Sequence, residues 1–175
     1  MKCCTAEPEK IPLLFFGSGL VDAYDRGKVT TQEFAETACK LIGFKNGCEE
    51  LIEAWSDIFT PNQPMIERAH RWKKQGLPLY VISNTCEAHV NFFTAKYDFF
   101  QIFNGMILSY REGLLKPEPQ IYKLALSRFG LTPETTLFID DRLENILAAR
   151  ELKIQAIHYE DDFSLAENLK ACGLE

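Results

Sequence analysis

The 175-residue chain has no run approaching the roughly 18 consecutive apolar residues of a membrane-spanning helix, no Cys-x-x-Cys pair and no excess of basic residues. Each absence excludes something. Without an apolar run of that length, no membrane-spanning helix is expected. With 25 acidic residues against 19 basic ones the net charge is -6, and neither nucleic acid nor an anionic membrane surface fits as a partner, because both need a basic patch. The six cysteines (Cys3, Cys4, Cys39, Cys48, Cys86 and Cys172) are scattered and form no ligand cadence with His70, His89 or His158. They read as free thiols of a reducing compartment, which implies a cytoplasmic protein. The apolar segment from Ile11 to Val21 follows Glu7 and Glu9 and is interrupted by Gly17, Ser18 and Gly19. It therefore reads as soluble structure rather than as a signal peptide.

An apolar fraction of 46% over this length is enough for one domain with a proper core, or a domain with a small insertion. The first half reads helical. Thr30 and Glu33 have capping-box spacing ahead of a face made by Phe34, Ala38, Leu41 and Ile42. Leu51, Trp55, Ile58 and Phe59 repeat that spacing, and a third amphipathic helix with Met65, Ala69 and Trp72 ends at Gly76. The second half alternates strand and helix. Leu77 to Ile82 is a nearly continuous apolar run, the pattern of a strand buried on both faces. A helix from Glu87 to Lys96 follows, then a strand near Phe103 to Leu108 and a helix opening in KPEPQIY. A strand from Thr136 to Ile139, a helix from Leu143 to Leu152, a strand from Ile154 to Tyr159 and a last helix capped by Ser164 and Glu167 complete the pattern. Strands separated by helices of this length predict right-handed crossovers and a parallel sheet, an α/β Rossmann-like fold.

Ligands of such sheets bind at the carboxyl ends of the strands. Three polar features fall there: Ser83 with Asn84, Lys116, and the adjacent Asp140 and Asp141 of LFIDDRLENI. Two carboxylates, a lysine and a hydroxyl ahead of a helix start suit a phosphate and a magnesium ion. Magnesium takes oxygen ligands and bridges one or two carboxylates to phosphate oxygens, a lysine neutralises phosphoryl charge, and a helix N-terminus offers amides to phosphate. Taken one at a time each feature has a plainer reading. Ser83 and Asn84 suit a turn or helix cap, Lys116 a solvated loop, and Asp141 the N-cap of the next helix. Cys86, near a helix N-terminus, suits either a reactive thiol or core packing.

The segments VISNT, SYREGLLKPEPQIY and LFIDDRLENI resemble the second, third and fourth motifs of the haloacid dehalogenase-like hydrolases, in order and at familiar spacing, and YDRGKVTTQEF resembles part of a helical cap. The resemblance is to the branch with a small helical cap, which includes sugar-phosphate phosphatases and the amino-terminal domain of soluble epoxide hydrolases. It implies a helical cap over residues 11–60, an α/β core over residues 61–175, and an irregular N-terminus over residues 1–10. It implies further that Ser83 and Asn84 hold phosphate, that Lys116 contacts the phosphate and the nucleophile, and that Asp141, with Asp140 beside it, holds Mg2+ while Asn145 steadies the loop. The acidic pair favours a phosphatase over a dehalogenase, since phosphate hydrolysis gains from a divalent cation. The implied substrate is a small phosphorylated metabolite.

One part of the family pattern is missing. The first motif is a strand ending in Asp-x-Asp, whose first carboxylate is the nucleophile and whose second is the general acid and base; no Asp-x-Asp occurs in this chain. The resemblance places that strand in the middle of the sheet, between the strands ending at Ser83 and Asp140. Its loss would leave their backbone groups unpaired, at on the order of 1–3 kcal/mol for each buried group. Three remedies follow: Ile11 to Phe16 substitutes as the central strand, although Pro12 would remove a ladder donor; the two neighbours close up; or a partner chain supplies the strand. An exposed sheet edge also favours self-association. The expectation is a phosphatase-type chain that has lost its nucleophile, with a non-catalytic phosphate- and magnesium-binding module or a truncated product as the alternative.

Overall fold

The computed structural model describes residues 3–174. In chain order its helices and strands are α1 (Ile11–Gly17), α2 (Leu20–Asp25), α3 (Thr31–Ile42), α4 (Cys48–Ser56), α5 (Gln63–Lys74), β1 (Tyr80–Ser83), α6 (Glu87–Lys96), β2 (Gly105–Leu108), α7 (Ser109–Glu112), α8 (Pro119–Phe129), β3 (Leu137–Asp140), α9 (Leu143–Glu151), β4 (Gln155–His158) and α10 (Asp162–Ala171). The chain divides into two compact units. One comprises the segment ending at Pro61 with Ser83–Gln101 and Leu108–Gly113; the other comprises Asn62–Ile82, Ile102–Ile107 and the chain from Leu114 onward.

The first unit is helical. Its α3 starts with the expected capping box: Thr30 Oγ1 accepts from the Glu33 amide at 3.2 Å, and Glu33 Oε2 accepts from the Thr30 amide at 2.8 Å. Phe34 and Ala38 of α3 are fully buried and pack with Phe15, Tyr24, Leu51 and Cys86 in one apolar cluster. Phe15 stacks on Trp55 with ring centroids 5.4 Å apart. At the end of α2 the chain passes close to α7. Gly27 has φ of 64°, and a Cβ there would lie 2.1 Å from the Tyr110 carbonyl oxygen, so only glycine fits.

The segment Ile11 to Phe16 does not substitute for a central strand, because it is helix α1. Pro12 sits in its first turn, where a missing amide hydrogen costs nothing and the fixed φ suits a helix. Among the described residues no strand precedes β1.

The second unit holds the strands. β3 and β4 pair in parallel, with Leu137 opposite Gln155 and Asp140 opposite His158. The remaining strands, β1 and β2, pair with each other, and among the described residues the two pairs are not joined, so the closing-up remedy does not occur either. Helices cover both faces. Ile121, Tyr122 and Ala125 of α8 and Ala149 of α9 form one apolar cluster with Ile107, and Trp72 of α5 with Leu165 and Leu169 of α10 forms another with Ile157. The α/β Rossmann-like class expected from the alternation of elements is what the chain adopts.

Several boundaries differ from the sequence expectation. The first strand spans Tyr80–Ser83 rather than starting at Leu77, and every residue in it is half-buried rather than buried on both faces. The third strand runs one residue further than expected and includes Asp140, because the parallel ladder to β4 continues through the Asp140–His158 pair. The last helix is capped by Asp161, whose Oδ1 accepts from the Ser164 amide at 2.7 Å; Ser164 is the third residue of that helix, and its amide is one of the donors that an N-cap side chain satisfies.

Candidate phosphate and metal site

β3 ends in Asp140, and burial there makes every hydrogen bond to its carboxylate count. The side chain is 5% exposed and is held from three directions. Lys116 Nζ donates to Oδ2 at 2.6 Å, while the Arg142 amide and Asn145 Nδ2 donate to Oδ1 at 2.9 and 2.7 Å. The lysine side chain is itself only 12% exposed and lies 5.6 Å from the centroid of the Phe138 ring. Asn145 sits in the first turn of α9 and is fixed by its backbone, whose carbonyl accepts from the Tyr122 hydroxyl at 3.0 Å. Burial, with Asp140 nearby, pushes the Tyr122 hydroxyl well above its ordinary pKa, so it stays a donor. The N-cap of α9 is Arg142, with no side-chain cap. Asp141 is therefore not a cap, and that plainer reading of the acidic pair falls away.

Asp141 is exposed. Its backbone is anchored, since its carbonyl accepts from His158 Nε2 at 2.9 Å. The pair thus divides its work: Asp140 is committed to orienting Lys116 and the loop, and Asp141 presents a carboxylate to solvent.

A magnesium ion fits these donors. Asp141 is open, and Oδ2 of Asp140 keeps a lone pair beyond the one Lys116 uses. Asn145 Oδ1 is buried without a hydrogen-bond partner, an oxygen on the same amide that touches Asp140. Among the described residues no group of three or more His, Cys, Asp or Glu side chains forms a self-sufficient metal cage. That suits magnesium, which keeps several waters and takes one or two carboxylates plus substrate phosphate.

Ser83 and Asn84 belong to the other compact unit. Ser83 ends β1 and Asn84 follows it, both half-buried. Their loop is clamped by a residue the sequence reading missed. Ser109, fully buried at the start of α7, accepts from the Thr85 amide at 2.8 Å and donates to the Thr85 carbonyl at 2.9 Å. A serine after an apolar strand carries no signal of that role in sequence. His158 was missed for a similar reason, because it lies 17 residues beyond Asp141 and meets only its backbone.

Cys86 is fully buried, and burial raises its thiol pKa. It belongs to the core, and the reactive-thiol alternative is excluded. His89 is buried too; its Nε2 lies 2.8 Å from the Trp55 carbonyl, and desolvation lowers its pKa, so it is a satisfied core histidine.

A family model described as a haloacid dehalogenase-like hydrolase matches residues 17–153. The chain is 30% identical to the bifunctional epoxide hydrolase 2 of Rattus norvegicus over 171 residues, covering 89% of this chain and 31% of that protein. It is 22% identical to a sesquiterpene phosphatase of Aspergillus oryzae, covering 85% of this chain and 76% of that one. Its fold matches a HAD family enzyme of Bacteroides thetaiotaomicron, solved in complex with magnesium and inorganic phosphate. The TM-score is 0.72 at 22% identity, over 93% of each chain.

Proposed function

Because the chain belongs to the haloacid dehalogenase-like hydrolases, we propose that it is a phosphatase-type domain that binds a small phosphorylated metabolite together with Mg2+ and does not turn it over by itself. The observation that carries this reading is the buried Lys116–Asp140 ion pair at the carboxyl end of β3, with the exposed Asp141 carboxylate next to it.

In this reading Lys116 places its ammonium against phosphate oxygens and offsets their charge. Asp140 holds that ammonium in one position, and Asn145 and the Arg142 amide hold Asp140. Asp141 is the direct ligand of the metal, with Asp140 beside it, and Ser83 and Asn84 keep the phosphate-binding role that their motif assigns them. When bound, the magnesium ion would neutralise phosphoryl charge.

What these residues lack is a nucleophile. Oδ1 of Asp140 already accepts two hydrogen bonds and Oδ2 one, which leaves it a poor attacking group, and the chain contains no Asp-x-Asp. The phosphatase name of the Aspergillus relative and the magnesium and phosphate of the Bacteroides structure support the substrate class.

The test pairs two measurements. Turnover of a generic aryl phosphate with Mg2+ should not exceed background, and inorganic phosphate should raise the melting temperature only when Mg2+ is present. Turnover that Asp141→Ala abolishes would contradict the proposal, because another residue would then be serving as nucleophile.

A further inference from the structure

Among the described residues the Asp141 carboxylate makes no hydrogen bond or ion pair of its own, so its direction is set through its backbone. That backbone lies just past the end of the β3–β4 ladder. The last rungs are the Asp140–His158 pair and the Tyr159 amide, which donates to the Asp140 carbonyl at 2.8 Å. One residue further on the ladder has ended, and the His158 side chain supplies the donor instead, with Nε2 at 2.9 Å from the Asp141 carbonyl oxygen. A carbonyl only accepts, so Nε2 is the ring nitrogen that carries the hydrogen.

The imidazole is itself held. Its Nδ1 lies 3.3 Å from Glu160 Oε1, and the strand that carries it is tied on both sides. Behind it is the ladder to β3. Ahead of it the Tyr159 hydroxyl accepts from Asn62 Nδ2 at 2.8 Å and donates to Asp162 Oδ1 at 3.3 Å. That same Asp162 oxygen accepts from Arg68 Nη1 at 2.8 Å, and the arginine side chain is only 10% exposed. A run of contacts therefore leads from α5 and α10 through the end of β4 to the loop that carries Asp141.

We propose that His158 is a positioning residue of the magnesium site: by holding the Asp141 carbonyl it fixes the peptide that bears the metal-binding carboxylate, and so sets the affinity for Mg2+ without touching the ion. A carboxylate on an unheld peptide must be ordered when the ion binds, and that ordering is subtracted from affinity. A neighbour that orders it beforehand removes the cost. This role rests on the magnesium reading of Asp141, and His158 lies outside all three motif segments.

Mg2+ titration of the full chain by calorimetry, in saturating inorganic phosphate and well below the melting transition, reads the affinity of the folded protein. His158→Ala should weaken Mg2+ binding by about tenfold or more. His158→Gln, whose side-chain amide offers an N–H at similar reach, should recover most of that loss. Without Mg2+ both variants should melt close to the parent chain, since the lost bond is exposed. The proposal fails if His158→Ala binds Mg2+ as tightly as the parent, even where it melts earlier, because the bond would then serve stability alone. It fails equally if the alanine and glutamine variants are weakened alike. A parent chain that takes up no Mg2+ would instead overturn the magnesium reading, and this role with it.

Discussion

Asp140 and Asp141 are neighbours in sequence with opposite duties, and two substitutions separate them. Lys116→Ala leaves a carboxylate buried without its counter-ion and should cost about 3–5 kcal/mol in urea unfolding. Asp141→Ala removes an exposed group and should leave stability within about 0.5 kcal/mol, while abolishing any magnesium-dependent gain from phosphate. Asp25 offers a separate test in the helical unit. Burial, and then the nearby Asp22 charge, push its pKa up to about 6 from the ordinary value of 3.8. Below the ordinary value both states are protonated. As pH rises from about 4 to about 6 the unfolded chain ionises first, so this residue lowers stability across that window. Melting temperature followed against pH should show that fall, and Asp25→Asn should remove it and raise the melting temperature at neutral pH.

Helix and strand termini carry the rest of the candidate site. Ser109→Ala removes both hydrogen bonds that hold the Thr85 backbone, leaving buried polar groups unpaired. It should lower stability by about 1–3 kcal/mol, and a Ser109→Thr variant, which keeps the hydroxyl, should recover part of the loss in the same denaturation experiment. Much at this level was legible in advance. The Thr30–Glu33 capping box, helix Glu87 to Lys96 and the carboxyl-end position of Asp140 follow from local chemistry and apolar period alone. What was not legible is tertiary in origin. No pattern says that Asp140 would be held by Lys116, Asn145 and a backbone amide, and no pattern says that VIS and LFI, apolar enough for central strands, would stay half-buried. Ile11 to Phe16 misleads for a related reason, since an unbroken apolar run of six fits strand or helix, and Pro12 decides it by favouring a helix's first turn.

The chain matches its family model over residues 17–153, and among the described residues its strands form two separate pairs. Helices on both faces hold the strand layer of the second unit. No helix is long and apolar enough to cross a membrane among the described residues. Thermal unfolding with simultaneous phosphate-release measurement distinguishes binding without turnover from catalysis. In saturating Mg2+, inorganic phosphate at about a hundredfold its dissociation constant should stabilise the chain by about 2.7 kcal/mol, Asp141→Ala should erase that gain, and aryl phosphate should remain uncleaved. Turnover lost in Asp141→Ala, or a melting temperature indifferent to phosphate in the presence of Mg2+, would contradict it.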